Sequence, residues 1–308
     1  MCIIFLAINS HPSYPLIIAS NRDEFLDRPT KGMSLWPSTD KRSSDSITAR
    51  RASLLAGRDS VAGGTWLGLD VSNKDVIQGK PDVNVATKDV LHNSNENSLR
   101  WIALTNYLGE NDNETTMHDK TSRGSLLTEY LQMDESAVPN GSSAESFVKN
   151  LCHRGDEYNG FSVLVADATG VYYYTNRGEE TKSNLCEPLP PGIYGLSNDL
   201  LDSNWPKVTR GKEMLSKICK NHTTATLSEL HESLMDMLRD EWKPTSNQYP
   251  DPARCSIFVP EHVLDGRGYG TRSSTTILVE KDGGRVSVLE RTWLTGEDRS
   301  FYLLPKSI

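Results

Sequence analysis

The residues best suited to chemistry stand at the start of the chain. Cys2 opens an apolar run that continues to Ile8, and Asn21-Arg22-Asp23-Glu24 closes a second apolar run that begins at Leu16. Neither run alternates with polar residues, which indicates strands buried on both faces. If the two strands pair about a turn centred near residues 11 and 12, Cys2 lies opposite Asn21. The hairpin would then place a thiol beside an arginine and two carboxylates.

Cys2 could act as a nucleophile whose base is its own amino group. A small second residue normally allows removal of Met1, and the freed α-amine has a pKa of about 7.7–8.0, which suits a general base for the thiol. Arg22 would favour the thiolate, and Asp23 would hold and orient the ammonium form. The alternative is a structural cysteine beside an ion-paired loop, and the local residues leave these two interpretations about equally favoured.

Composition narrows the class of protein. The 308 residues carry a formal net charge of −8, which argues against a nucleic-acid partner because no basic stripe is available for phosphates. No apolar run is long enough to span a bilayer, so we expect no transmembrane segment. The first residues lack the basic region and cleavage site of a signal peptide, and Asp23 and Glu24 argue against a transit peptide. We expect a cytoplasmic protein, with mitochondrial or secretory-membrane association left open.

The cysteines and histidines predict no metal site and no disulfide framework. The five cysteines form no CxxC pair, and an odd number of them favours reduced thiols; they are Cys2, Cys152, Cys186, Cys219 and Cys255. Cys152-His153 could offer an axial ligand to haem, but the pair ends a helical pattern, which favours a structural or surface role.

Many short strands and two separated pairs of helices follow in the sequence, with no βαβ alternation. Strands are predicted at 33–36, 54–59, 65–69, 100–105, 161–167, 171–175, 193–196, 256–259, 275–279, 286–289 and 301–304. Helices are predicted from Ser122, from a capping box at Ser142 to Glu145, over 206–220, and from a capping box at Thr226 to Glu229. Gly266 to Gly270 is predicted to be a flexible loop. Its spacing does not fit a dinucleotide fingerprint because a strand follows.

This element order predicts an α+β fold, a four-layer α-β-β-α sandwich of two antiparallel sheets with the helices outside. We expect a single domain over residues 1–308. Asn73 to Asn97 is polar and without sustained periodicity, so we predict an insertion outside the core, because such a composition does not offset the entropy of ordering it.

Several motifs along the chain resemble those of the NRDE family, also called the Transport and Golgi Organisation protein two family. The resemblance covers nearly the whole chain and rests on Met1 to Phe5, Ala19 to Phe25, Arg28-Pro29, Gly63 to Gly68, Ala103 to Tyr107, Tyr158 to Phe161, Tyr194 to Asn198 and Tyr269 to Arg272. Such proteins are more distantly similar to N-terminal nucleophile hydrolases of the bile salt hydrolase and acid ceramidase type. The resemblance therefore implies that fold.

The resemblance also implies a site formed by Cys2, Arg22, Asp23, Asn106, Asn198 and Arg272. In a hydrolase, Cys2 would attack a linear amide or an acyl thioester, an asparagine amide would bind the oxyanion, and the arginines would tune the thiolate or hold a substrate carboxylate. No cofactor would be required. The alternative implied by the family is a non-catalytic carrier of haem or acyl-coenzyme A, with roles in haem mobilisation, lipid homeostasis or secretory and Golgi organisation.

Overall fold

The computed structural model describes residues 2–37, 52–79, 99–108, 120–133, 143–178, 187–244, 255–281 and 284–306. Within these ranges the chain forms fourteen β-strands and four α-helices. The strands are β1 (Cys2–Ile8), β2 (Leu16–Phe25), β3 (Thr30–Pro37), β4 (Ala52–Asp59), β5 (Leu67–Asp70), β6 (Lys74–Gln78), β7 (Trp101–Asn106), β8 (Phe161–Asp167), β9 (Gly170–Thr175), β10 (Gly192–Leu196), β11 (His262–Leu264), β12 (Arg267–Val279), β13 (Val286–Thr292) and β14 (Glu297–Pro305). The helices are α1 (Gly124–Leu131), α2 (Ser143–Arg154), α3 (Pro206–Asn221) and α4 (Leu227–Leu238).

The strands form two antiparallel sheets. The first has the order β10-β1-β2-β12-β13-β14-β6, with β11 paired to β12, and the second has the order β3-β4-β5-β7-β8-β9. One apolar core lies between the sheets, a second lies between the first sheet and helices α3 and α4, and a third lies between the second sheet and helices α1 and α2. This arrangement confirms the predicted α+β class with two antiparallel sheets.

The apolar run of β1 contains no alternating polar residues because both faces of the strand are buried. Ile4 and Leu6 face the core between the sheets, whereas Ile3 and Phe5 face helix α3. All four side chains are at most 2% exposed, so both faces of the strand are buried. The predicted central hairpin is therefore confirmed.

The register of that hairpin differs from the prediction by one residue. Cys2 pairs with Arg22, and Asn21 pairs with Ile3. The connecting loop is wider than a two-residue turn, since the Asn9 amide donates to the Pro15 carbonyl at 2.7 Å and Asn9 adopts a φ of 48°. Directly opposed residues of an antiparallel pair share one face, so Cys2 lies on the same face as Arg22 instead of that of Asn21.

The C-terminal third of the chain departs most from its predicted elements. The glycines between 266 and 270 were expected in a flexible loop, but β12 starts at Arg267 and pairs there with β11 and β2. The segment 256–259 forms no strand. Its amides are used elsewhere, because Phe258 donates to the Asp240 carbonyl and Val259 donates to Thr271 Oγ1.

One predicted helix cap differs from the structure, and a second stays a prediction. Helix α1 starts after Arg123, and Ser122 accepts only local bonds from Ser125. At the start of α2, Asp167 Oδ2 accepts bonds from Ser143 Oγ and the Ala144 amide, while Ser142 lies outside the described residues.

At helix α4 the predicted capping box is confirmed. Thr226 Oγ1 accepts the Glu229 amide, and Glu229 Oε2 accepts the Thr226 amide.

The prediction of an insertion over Asn73 to Asn97 is wrong for the first part of that segment. Lys74–Gln78 forms β6, which pairs with β14 at the edge of the first sheet. Lys74 is 3% exposed, so this part of the segment belongs to the fold. Residues 80–97 lie outside the described residues, and their placement outside the core stays a prediction.

A buried histidine between α4 and the first sheet should make stability depend on pH. His231 Nδ1 lies 2.6 Å from Thr276 Oγ1 and its Nε2 lies 2.8 Å from Ser287 Oγ, and burial lowers the pKa of His231 to about 4. An unfolded histidine binds a proton near pH 6.5. The unfolded state therefore holds more protons between pH 6.5 and 4, and stability should fall by roughly 3 kcal/mol as the pH drops through that window.

Urea unfolding at pH 7 and pH 4.5 measures this loss. The variant His231→Gln should show a smaller difference between the two pH values than the wild type. His153→Gln, at an exposed position on α2, serves as the control and should behave as the wild type does. An equal pH dependence in wild type and His231→Gln would contradict the assignment.

Candidate functional site

A cavity of about 520 Å³ opens where β1 begins and β2 ends. Its wall combines both sheets, because β4, β7 and the start of α1 face it from the second sheet. Five of the six predicted site residues line it, namely Cys2, Arg22, Asp23, Asn106 and Asn198. They come from β1, β2, the end of β7 and the residue pair that follows β10, so residues far apart in sequence converge on one place.

Cys2 is partly buried at the first position of β1. Its carbonyl accepts a hydrogen bond from Ser197 Oγ at 3.0 Å, which ties the strand to the segment after β10. Burial raises the pKa of the Cys2 thiol, the charge of Asp23 raises it further, and Arg22 acts in the opposite direction. The expectation that Arg22 would favour the thiolate is thus outweighed by burial. The thiol is protonated at neutral pH, and an attack by its sulfur requires a base.

Arg22 lies over the face of an aromatic ring. Its guanidinium carbon lies 4.3 Å from the centroid of Trp66, and its Nη2 lies 3.5 Å from Glu24 Oε2 and 3.8 Å from Asp59 Oδ2. Trp66 itself fits over Gly57, where a Cβ atom would lie only 2.3 Å from the indole ring. The missing side chain at Gly57 therefore makes room for the ring that positions Arg22.

Asp23 is 2% exposed and lies beside the start of β1. Its Oδ1 accepts a hydrogen bond from Thr271 Oγ1 at 2.6 Å, and Thr271 Oγ1 in turn accepts the Val259 amide. Burial raises the pKa of Asp23, and Lys207, Thr271 and Arg22 lower it. The Thr271 hydroxyl, itself held by the Val259 amide, thus orients the carboxyl group. Burial and the neighbouring positive charges shift the pKa of Asp23 in opposite directions.

The two predicted asparagines differ in how much of their amide is already in use. Asn198 is fully buried, and its Nδ2 donates to the Asn106 carbonyl at 2.9 Å while its Oδ1 accepts from Ser197 Oγ. Asn198 thereby fixes the end of β7 next to the start of β1. The Asn106 side chain makes no hydrogen bond within the described ranges, so its amide is the better placed donor for a ligand in the cavity.

Arg272 does not line the cavity, contrary to the prediction. It lies at a bulge of β12 between Thr271 and Ser273, where the register with β2 shifts. Its Nη1 donates to the carbonyls of Phe25 and Arg28. Burial, and then the charge of Arg22, lowers the pKa of Arg272. Arg272 supports the turn after β2 instead of facing a ligand.

Sequence reasoning missed a ring of charges around the mouth. Arg28 Nε lies 2.8 Å from Asp59 Oδ2 and 3.7 Å from Glu24 Oε2, and Arg123 and Arg267 also line the cavity. Arg28 and Trp66 stand inside the quoted family motifs, so the signal was present. Arg123 and Arg267 stand in no such motif, and only the fold brings them to the mouth.

Asn21 carries a structural role instead of a chemical one. Its Nδ2 donates to the carbonyls of Leu238 and Ile257 at 2.8 and 2.9 Å, and its Oδ1 accepts from Ser274 Oγ at 2.6 Å. These bonds join β2 to the end of α4 and to the segment that precedes β11. Asn21 thus fixes the strand that carries Arg22 and Asp23.

The described residues contain neither a cluster suited to a metal ion nor a helix suited to spanning a membrane. No group of three or more histidine, cysteine, aspartate or glutamate side chains in the described ranges could hold a metal ion. Among the described helices, none is long and apolar enough to cross a bilayer.

Comparison with known proteins shows the family of the chain. The family model for Transport and Golgi organisation 2 matches residues 1–76 and 94–295. A mouse Transport and Golgi organization 2 homolog is 31% identical over 96% of this chain and 94% of its own length, and the human homolog has the same values. The Drosophila melanogaster Transport and Golgi organization protein 2 is 26% identical over 97% of this chain and 94% of its own length. The chain belongs to the Transport and Golgi organisation 2 family.

Proposed function

We propose that this protein hydrolyses a linear amide or an acyl thioester with Cys2 as an N-terminal nucleophile. The observation that carries the proposal is the convergence of Cys2, Arg22, Asp23, Asn106 and Asn198 on one cavity. The stacking of two antiparallel sheets between two helix pairs supports the likeness to N-terminal nucleophile hydrolases.

The first half of the reaction forms an acyl-enzyme. After removal of Met1, the neutral α-amine of Cys2 takes the thiol proton, and the sulfur attacks the substrate carbonyl carbon. The Asn106 amide donates a hydrogen bond to the oxyanion, a contribution of roughly a hundred- to a thousand-fold in rate. The tetrahedral intermediate then collapses, and the leaving amine or thiol departs with the proton from the α-ammonium. An acyl thioester on Cys2 remains.

The second half restores the enzyme. The α-amine takes a proton from water, the hydroxide attacks the acyl thioester, and the carboxylic acid leaves while the thiol regains its proton. Because burial raises the pKa of the Cys2 thiol, the thiol needs the amine as its base in the first step, and the same amine then activates water in the second. Asp23, fixed by Thr271, orients that amine.

The second candidate is a carrier that binds haem or acyl-coenzyme A without turnover. The same raised thiol pKa favours it, since a protonated thiol without a base is a poor nucleophile. The arginines at the mouth, Arg28, Arg123 and Arg267, could hold the anionic groups of either ligand. The names of the relatives refer to transport and Golgi organisation, and either molecular activity could serve such a role.

Two versions of the protein that differ only at the N-terminus test the proposal. A fusion protein is cleaved by a site-specific protease so that Cys2 becomes the first residue, and a second fusion leaves one glycine in front of Cys2. Both proteins are assayed with a panel of fluorogenic N-acyl amides and acyl-coenzyme A thioesters. The Cys2-first protein should hydrolyse a member of the panel, and the glycine extension should lower the rate by about 10²- to 10⁴-fold, the usual contribution of a general base.

Equal rates for the two proteins would exclude the α-amine as the base. Tight ligand binding by both proteins with no turnover across the panel would favour the carrier.

A further inference from the structure

The first turn of α3 contains a lysine that the mechanism above does not use. Lys207 has no solvent-exposed surface. Lysine is almost never fully buried unless a charge or hydrogen-bonding group compensates it, because taking an ammonium out of water is unfavourable. The position of Lys207 in the fold should therefore indicate which group compensates its buried charge.

The direction of α3 places Lys207 at the Cys2 end of β1. Gly211 packs directly on the Phe5 ring, where a Cβ atom would lie 2.0 Å from Phe5 Cζ. At the other end of the helix, the His222 carbonyl accepts a hydrogen bond from His11 Nε2 at 3.2 Å, beyond the end of β1. Helix α3 thus runs along β1 in the same direction. Lys207 precedes Gly211 by one turn, about 5.4 Å, and so lies over the start of β1.

Asp23 is a charged group on the same side of the first sheet as Lys207. Asn21, two residues before it on β2, bonds to the end of α4, so Asp23 shares that helix-facing side, whereas Cys2 and Arg22 lie on the opposite face with Ile4. On α3 itself, the next cation along is Arg210, which is engaged with Asp240 at 2.6 Å. The Lys207 Nζ lies 5.4 Å from the centroid of the Trp205 ring, which closes the site on the helix side. The Lys207 charge is among those that lower the pKa of Asp23 against the effect of burial.

We infer that Lys207 is a positioning residue whose buried ammonium keeps Asp23 a carboxylate and leaves the Cys2 amine free to act as a base. This inference rests on the proposed function. Asp23 can then orient the amine while its negative charge is balanced from the helix side.

Removal of the lysine charge should protonate the pair formed by Asp23 and the amine. Arg22 remains in the variant, but its charge lowers the pKa of Asp23 less than that of Lys207 does, so the buried pair should hold an additional proton up to a higher pH. The two groups titrate together, so that proton rests on the amine or bridges from the carboxyl to it. In both cases the lone pair of the amine is occupied, and the base becomes available only at higher pH.

The test uses the chain that begins at Cys2, with the variant Lys207→Met and the matched control Lys212→Met. Lys212 lies on the same helix, is partly exposed and pairs with Asp202 at 2.6 Å. The reactivity of the α-amine toward an acylating reagent is followed by mass spectrometry across pH 5 to 10. Lys207→Met should raise the midpoint of that reactivity by about one pH unit, a roughly tenfold loss of free amine at pH 7. The acid limb of the kcat/KM profile should shift equally, and Lys212→Met should shift neither.

An unchanged midpoint in folded Lys207→Met protein would overturn the inference. A second measurement needs only the wild type: the ¹³C signal of the Asp23 carboxyl, assigned with Asp23→Asn, should be that of a carboxylate at pH 7, and a protonated Asp23 would also overturn it. A shifted midpoint without turnover in either protein would support the role of Lys207 and reject the proposed hydrolase instead.

Discussion

Replacement of Cys2 by alanine is expected to abolish hydrolysis while leaving ligand binding and the fold intact. Loss of a catalytic nucleophile typically lowers kcat by roughly 10⁴-fold or more. The cavity keeps Arg22, Asp23 and Asn106, so binding of a substrate should change little. The sulfur is one atom at the first position of β1, and its removal should lower the free energy of unfolding by about 1 kcal/mol.

Three measurements on the same preparation check this expectation: the hydrolysis rate, the Kd of a bound substrate and the melting temperature. Cys152→Ala is the matched control, because Cys152 is exposed on α2 and does not line the cavity. Activity retained in Cys2→Ala would show that the thiol is not the nucleophile. Loss of both binding and folding would instead show that Cys2 has a structural role in β1.

Asn21→Ala is expected to lower the free energy of unfolding by about 3–5 kcal/mol. The substitution removes three buried hydrogen bonds and leaves the carbonyls of Leu238 and Ile257 without their donor. Each buried carbonyl left unsatisfied costs about 1–3 kcal/mol. Asn21→Asp should destabilise at least as strongly, because a carboxylate would face the same two carbonyl oxygens and donate to neither.

Urea unfolding at pH 7 measures this effect. Asn204→Ala, at an exposed position before α3, is the control and should change stability by less than about 0.5 kcal/mol. A loss below about 1 kcal/mol for Asn21→Ala would mean that the three bonds do not hold β2 in place. In that case Asn21 would have to be reconsidered as a residue of the cavity.

Local sequence patterns predicted the secondary-structure elements well where interactions between residues near in sequence determine the structure. The apolar runs of β1 and β2 and the capping box at Thr226 are local signals, and all three are confirmed. The glycines after 266 were misread because pairing with β2 and β11 overrides their preference for loops. The register at Cys2 was off by one residue, since it depends on the conformation of the loop after Asn9.

The residues of the site could be predicted only from the family motifs. The residues that hold them in position could not be predicted from the sequence. Asn106 and Asn198 were found because they belong to family motifs, and the cavity joins them to Cys2. Arg272 shares a motif with Thr271, but the bulge beside it turns its side chain toward backbone carbonyls. Lys207 stands on an amphipathic helix, where a lysine normally indicates the solvated face. Only the packing of α3 on β1 reveals that this lysine is buried.

The position of the first hairpin in its sheet has a consequence for biosynthesis. β1 and β2 are synthesised well before their outer neighbours β10 and β12, of which β12 ends at Val279. At about 5–20 residues per second, synthesis from Phe25 to Val279 takes roughly 13 to 51 s, during which the hairpin lacks its neighbour β12 in the sheet. We expect an aminopeptidase to reach the N-terminus during that interval, before the sheet is completed around the partly buried Cys2. If Met1 is removed as proposed, translation speed and chaperone protection would set the fraction of molecules that mature with a competent nucleophile.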